Sequence, residues 1–396
     1  MRALAVFLAI LAVAAAFLLV DVEVEGPRVE VVGPPLVVPG PDAIEAAVHG
    51  ETEGAPTVET LVSGLDTPWD LVWGPDGQLW VSERAGRIWR VDPGSGERTL
   101  VGEVEVTESG ESGLMGLAFH PEFGSEPWVY AAHSYRRGGG IRNRLVRMRY
   151  DGTRLGPPEP IFVEIPGNRV HDGSRLAIGP DGYLYMTTGD AGEPDHAQDL
   201  ESTAGKILRL GLDGRPAPGN PSGTAVYSYG HRNPQGLDFH PATARLYSSE
   251  HGPSQSDEVN LIREGGNYGW PSVLGACDGG SARETAFCEA HEVVEPLAEW
   301  TPPVGLSGLA VYASERIPAW SGSLLVTSLT GRTLFRLALS ADGSSVIERE
   351  ALYREEFGRL RDVLVSPDGL VYLATSNRDG RGRPAETDDR ILRIRP

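Results

Sequence analysis

From about Thr57 onward the chain alternates apolar and polar residues over short runs, the period-two pattern of antiparallel strands with one buried face. These runs recur inside a longer phrase: a Pro-Asp-Gly turn, a β-rich run, then a second run closing on charged residues. It reads GPDGQLWVSERAGRIWRVD over 74–92 and GPDGYLYMTTGD over 179–190, the latter continued by GKILRLGLDG over 205–214. It returns as SGSLLVTSLTGRTLFRLALSADG over 321–343 and as SPDGLVYLATSNRDGRG over 366–382, followed by DRILRI over 389–394. Looser copies are HPEFGSEPWVYAAHS over 120–134 and HPATARLYSSEHG over 240–252. Six units at a spacing of roughly 50 residues predict an all-β fold, a six-bladed β-propeller of four-stranded antiparallel sheets. A β-sandwich would explain the strands but not the six-fold recurrence.

Ahead of the repeats the texture differs. The eighteen residues from Ala3 to Val20 carry no charge and follow Arg2. A signal peptide, an N-terminal signal anchor and a buried core helix all remain open for 1–20. The first two would carry the remainder out of the cytoplasm, to a periplasmic, secreted or membrane-tethered location. Residues 21–56 hold several prolines and acids without periodicity and read as a linker, which leaves 57–396 as the propeller domain.

Composition narrows the chemistry. Fifty glycines and thirty-one prolines suit a chain with many turns, and the formal charge of −20 opposes non-specific attraction to nucleic acid. No lysine- or arginine-rich block stands out as a local exception. The two cysteines, Cys277 and Cys288, either pair, closing a small loop worth about 2–3 kcal/mol, or stay as free thiols; an exported chain favours the pair.

Since propeller strands form a scaffold, candidate chemistry belongs to the segments that interrupt the repeat. His171, in VHDGSRLAIG, is a natural general base, although a lone loop histidine is commonly just solvated. YSYGHRNPQGLDFHP, over 227–241, gathers His231, Arg232, Asn233 and Gln235, a set suited to gripping carboxylates and carbonyls. SEHGPSQSDEVNLIREGGNYGWP, over 249–271, offers Glu250, Asp257 and Glu258 beside a Gly-Pro turn, oxygen ligands of the kind calcium takes. In FGRLRDVLVSPDG, over 357–369, Arg359 and Arg361 would face the same side of a regular strand, either toward an anion in the channel or paired with Glu355 and Glu356.

Taken in this order, the strings GHRNPQG, HGP…DE and GGNYGWP, and GR.RDV…PDG resemble the soluble PQQ (pyrroloquinoline quinone)-dependent aldose sugar dehydrogenases, the glucose/sorbosone dehydrogenase family, over roughly 58–396. The resemblance implies a propeller with PQQ over the channel mouth and His171 as catalytic base, with Arg175 completing an H-x-x-x-R motif. It implies that Arg232, Asn233 and Gln235 hold the quinone, that Arg359 and Arg361 neutralise its carboxylates, and that Glu111 lies near substrate and base. It also implies a calcium on the Gly252 and Pro253 carbonyls and a second on Glu258 and the Tyr268 carbonyl. Two positions depart from the glucose-oxidising relatives: Thr330 stands where they carry a cofactor-contacting lysine, and Val170 where they carry an acid before the base.

The expected activity is oxidation of the C1 hydroxyl of an aldose to an aldonolactone. With no C-x-x-C-H haem motif, electrons must leave to an external acceptor. A monomer or homodimer is expected. The alternatives are a calcium-dependent propeller lactonase and a non-catalytic binding propeller at the cell surface.

Overall fold

The computed structural model describes residues 56–396, apart from Ser222 and Gly279. The expected leader (1–20) and all but the last residue of the expected linker (21–56) lie outside the described residues. Strands are numbered β1 to β24 along the chain, and they pair antiparallel into six four-stranded sheets. The innermost strands are β2 (Pro68–Trp73), β6 (Leu114–Phe119), β10 (Leu176–Ile178), β14 (Pro234–Phe239), β18 (Leu306–Tyr312) and β22 (Leu360–Val365). Five sheets run in chain order from inside to outside. The sixth closes the ring: β1 (Thr57–Val62) pairs with β24 (Ile391–Arg395), beyond β23 (Val371–Thr375) and β22. No sheet edge between first and last blade is left to close by side chains alone.

The repeated phrase explains these units. In the Pro-Asp-Gly turn of the third blade, Gly182 adopts φ 76°, a conformation that costs glycine little and other residues more. The apolar half of each alternation packs blade against blade. Between the first two blades, Trp80 is fully buried, with its ring centroid 5.1 Å from those of Phe119 and Tyr150. The disulfide Cys277–Cys288 is formed, Cα to Cα 6.2 Å. It ties the start of a surface excursion to a short helix, α1 (Ala282–His291), capped by Ser281.

Two features of the innermost strands position the site. First, the ladder shifts by one near the start of five of them, leaving one residue unpaired between Pro68 and Asp70, Pro234 and Gly236, and Leu360 and Asp362, and two between Leu114 and Leu117 and between Leu306 and Leu309. A bulge leaves its extra residue out of the ladder and re-aims it. Trp69, Gln235, Ser307 and Arg361 are such residues, and they gather at one end of the channel. Second, the position after each bulge forms a ring around the axis: Asp70, Gly116, Gly236, Gly308 and Asp362, joined by Arg175 from the third blade. The three glycines allow close approach of neighbouring blades: an added Cβ would strike the Ser174 carbonyl at Gly116, Ser249 and the Ser307 carbonyl at Gly236, and Asp362 at Gly308. Arg175 crosses to Asp70 and Asp362 and donates Nε–H to the Gln235 carbonyl at 2.8 Å. Asp70 also accepts from the Leu117 N–H, and Asp362 from the Leu71 N–H, so each carboxylate staples one blade to the next. Burial, against the pull of Arg175 and with the repulsion of Asp362, pushes the Asp70 carboxyl up to about 7. Beyond this layer a cavity of about 360 Å³, lined largely by aliphatic residues, fills the other half of the channel.

One compositional expectation is corrected. Seven arginines lie between Arg136 and Arg154, on and just after the hairpin of β7 (Trp128–Arg137) and β8 (Gly140–Arg149). They are partly committed within the fold: Arg137 pairs with Glu164, Arg147 pairs with Glu159 and lies over the Trp128 ring, and Arg144 lies over Tyr135.

Candidate active site

The loop that carries His171 is shaped by a close crossing of two segments of the chain. His171 (φ 60°) and Ser174 (φ 76°) both adopt left-handed backbone, a strain of order 1–3 kcal/mol each that the surrounding contacts must hold. Opposite them, at the end of β11 (Leu184–Thr188), Gly189 lies so close that an added Cβ would strike the His171 carbonyl. This approach sets Asp190 beside the imidazole. His171 Nδ1 is 2.7 Å from Asp190 Oδ1. Asp190 is fully buried, and also accepts from the Trp270 indole at 2.9 Å and the Gly192 N–H at 2.7 Å. A carboxylate only accepts, so Nδ1 carries the proton and Nε2 presents a lone pair. The imidazole side chain is 17% exposed, enough for Nε2 to meet a ligand in the mouth.

Glu111 forms the wall next to this base. Its Oε2 accepts from the His171 N–H at 3.0 Å and from Asn233 Nδ2 at 3.2 Å, and its Oε1 from Arg381 at 3.1 Å. Burial works against its charge, but His251, the His171 N–H and Arg381 prevail and hold the carboxyl at about 2. Glu111 accepts all three of these hydrogen bonds, which favours its ionised form.

The expected cofactor residues meet at the same mouth. Asn233 is fully buried and accepts from the Gly173 N–H at 3.1 Å, tying the fourth blade to the loop that carries His171. Gln235 Oε1 accepts from Arg361 Nη1 at 2.6 Å. Arg232 donates from Nη1 to the carbonyls of His251 and Gly252, at 3.1 and 2.8 Å, and stands 5.3 Å from the Trp270 ring. Three buried nitrogens around this space have no hydrogen-bond partner: Arg232 Nε, Arg361 Nε and His251 Nε2. Burial makes the two unmet guanidinium donors costly, as it does the unmet imidazole nitrogen, and native sites retain such groups where a ligand is to be met.

Arg359 and Arg361 do not behave as the alternation suggests. Arg359 precedes β22, the bulge separates it from Arg361, and the two part company. Arg359 makes a two-point buried pair with Asp379, at 3.0 and 2.7 Å, whereas Arg361 turns to Gln235 and Ser307. The alternative pairing with nearby acids is also replaced, since Glu355 pairs with Arg332. Thr330 is exposed and contributes its N–H to the Val304 carbonyl.

The four expected metal residues, Gly252, Pro253, Glu258 and Tyr268, line one cavity of about 20 Å³ with Glu250 and Trp270. Glu258 is pushed up to about 8, chiefly by burial and next by the nearby Glu250. Asn260 donates to both carboxylates, and its own Oδ1 is buried without a partner. The other acids of this segment are committed. Glu250 binds His231 and the Arg232 N–H, and Asp257 caps the N–H groups of Val304, Gly305 and Leu306. Among the described residues no three His, Cys, Asp or Glu side chains converge as a ready-made metal cluster. A cation in the small cavity would therefore lean on main-chain carbonyls, which suits a hard ion.

Asp190, Trp270, His251 and Arg381 are the site residues that the sequence reading passed over. The available signal was the Gly-Asp that closes TTGD, and the histidine of SEHGP beside the Arg-Asn-Pro string.

A propeller whose bulged inner strands gather a carboxylate-oriented imidazole, two guanidinium groups with unmet buried N–H donors and an ion-sized cavity at one channel mouth is built as a cofactor-dependent enzyme. The Glucose / Sorbosone dehydrogenase family profile matches residues 65–392, and the chain belongs to that family. It is 32% identical to quinoprotein glucose dehydrogenase B of Acinetobacter calcoaceticus, over 81% of this chain and 85% of that protein. It is 31% identical to aldose sugar dehydrogenase YliI of Escherichia coli, over 82% of this chain and 91% of that one. The solved PQQ-bound aldose sugar dehydrogenase of Streptomyces coelicolor superposes with a TM-score of 0.75 at 40% identity, covering 86% of this chain and 98% of that chain.

Replacing Asp190 with asparagine is expected to lower turnover by about 10²–10⁴-fold, because an amide that donates to Nδ1 would favour the wrong tautomer. Steady-state kinetics with circular dichroism as a folding control checks this.

Proposed function

We propose that this protein oxidises the C1 hydroxyl of aldose sugars to aldonolactones with PQQ bound over the channel mouth, passing electrons to an external acceptor. The observation that carries the reading is that Arg232 and Arg361 each keep a buried Nε without a partner, Arg232 accepting on its carbonyl the N–H of the Asp190 that orients the imidazole. PQQ carries three carboxylates, and a trianion with carbonyl acceptors satisfies such donors. When bound, the quinone supplies the two-electron acceptor for C1, and a calcium beside it supplies Lewis acidity.

The chain's own residues do the rest. Arg232 and Arg361 orient the anion, with Asn233 and Gln235 behind them. Arg359 contributes less charge than its position suggests, because Asp379 already neutralises it. His171 Nε2 takes the proton of the anomeric hydroxyl, and Asp190 stabilises the imidazolium that results. Trp270, fixed to Asp190, covers this pair from one side.

The Gly252 and Pro253 carbonyls would hold the calcium beside the quinone, and Glu258 and the Tyr268 carbonyl a second, structural one. Asn260 Oδ1, buried and unpartnered on a side chain bonded to Glu250 and Glu258, and those two carboxylates fit a cation. Chelation is expected to lower the melting temperature, and added calcium to restore it; in Glu258→Gln the response should shrink. Scanning calorimetry of both proteins with and without chelator decides the point.

An oxidising, extracytoplasmic compartment is part of the proposal. The Cys277–Cys288 bridge and the uncharged run from Ala3 to Val20 support it, with 1–20 as leader or anchor and 21–56 as linker. No helix among the described residues is long and apolar enough to cross a membrane.

The test is dye reduction by the PQQ- and calcium-loaded protein over a panel of aldoses, with the product identified as lactone. Absence of both PQQ binding and turnover would favour the cell-surface binding propeller. Lactone hydrolysis without PQQ would favour the lactonase.

A further inference from the structure

The loop between β23 and β24 sends one side chain across the mouth. Its body is fastened locally: Asn377 Nδ2 donates to the Phe357 carbonyl at 3.0 Å, Arg378 Nη2 to the Glu386 carbonyl at 3.2 Å, and Asp379 grips Arg359. Arg381 is different. Its guanidinium has a single protein partner among the described residues, Glu111 Oε1, contributed from the connection between the first two blades, 270 positions away. The side chain is 51% exposed, and its remaining N–H groups are free.

Glu111 is only partly used as well. Oε2 already accepts two hydrogen bonds, from His171 and Asn233, whereas Oε1 accepts one. An open acceptor therefore stands beside open donors, a few ångströms from the backbone of the catalytic histidine. Each hydroxyl of a sugar both donates and accepts, so a carboxylate–guanidinium pair can take neighbouring hydroxyls together. Val170, next to the base, provides no polar group that could do this instead.

We infer that Arg381 is a specificity-determining residue that, with Glu111, binds the hydroxyl adjacent to the reacting carbon of the aldose. The inference rests on the proposed sugar oxidation and adds the residue that reads the C2 position. It also accounts for a side chain that leaves a well-fastened loop to lie half exposed over the mouth.

The experiment compares wild type, Arg381→Ala and Arg381→Lys, each loaded with PQQ and calcium, on D-glucose and 2-deoxy-D-glucose. PQQ affinity is measured separately by fluorescence titration. Glucose binding to the dithionite-reduced holoprotein, measured by calorimetry, gives a readout without turnover. Arg381→Ala should raise KM and the equilibrium constant for glucose by about tenfold or more, the worth of one charged hydrogen bond. It should leave 2-deoxyglucose and PQQ affinity unchanged, with partial recovery in Arg381→Lys. Equal losses on both sugars would make Arg381 a structural latch, and lost PQQ affinity would make it a cofactor contact. Unchanged glucose constants would leave it an ion pair without a role; each of these outcomes overturns the inference. If the wild type itself oxidises no aldose while binding PQQ, the underlying reading falls and takes this one with it.

Discussion

Replacing His171 with alanine should abolish sugar oxidation, by about 10²–10⁴-fold for the lost general base, while PQQ still binds with its wild-type affinity. The reasoning is positional. His171 contributes only its main-chain N–H to the Glu111 wall, and alanine retains that group. Its imidazole touches Asp190 and no cofactor-side donor, so removing the ring leaves Arg232, Arg361 and Asn233 where they are. The left-handed backbone at position 171 is held by the close approach of Gly189, which does not depend on the imidazole. Single-turnover kinetics beside a PQQ titration separates the two effects. Loss of both turnover and binding would assign His171 a structural role instead.

The second large effect concerns the cations. Arg232→Ala or Arg361→Ala should each weaken PQQ binding by about 1.5–3 kcal/mol, the usual worth of a hydrogen bond to a charged group. Each guanidinium holds a buried Nε without a protein partner, so each has an unmet donor to offer. Arg359→Ala should cost less binding and more stability, because that residue is spent on Asp379 within the last blade. Equilibrium titration of the three variants, with thermal unfolding alongside, gives both numbers. Unchanged affinity in both Arg232→Ala and Arg361→Ala would remove the anion pocket.

The blades were legible because their determinants are local. A Pro-Asp-Gly turn, period-two alternation and a fixed repeat length act within a few residues, and the recurrence around the ring multiplies the signal. The main residues of the mouth were legible through their rare neighbouring strings. What could not be read was pairing across blades. Asp379 lies 20 positions from Arg359, and Arg381 lies 270 from Glu111, so only the closed ring makes them partners. The bulges defeated periodicity at the point where function begins: a skipped residue between Leu360 and Asp362 reverses the facing that alternation assigns to Arg359 and Arg361. Asp190 was hidden for a related reason. It ends a repeat phrase that looks purely structural, and its role arises only because two segments of the chain cross at Gly189. Arg175 was visible as part of a motif, but its work as a clasp on Asp70 and Asp362 depends on carboxylates 105 and 187 positions away.

The most direct test of the account is the absorbance of bound PQQ during one turnover. The calcium-loaded protein is mixed with one equivalent of PQQ, freed of excess, and challenged anaerobically with excess D-glucose and then with other aldoses. The account predicts stoichiometric binding and a sugar-dependent change to the reduced cofactor spectrum, absent in His171→Ala. A protein that binds no PQQ, or whose bound PQQ stays oxidised with every aldose, would contradict it.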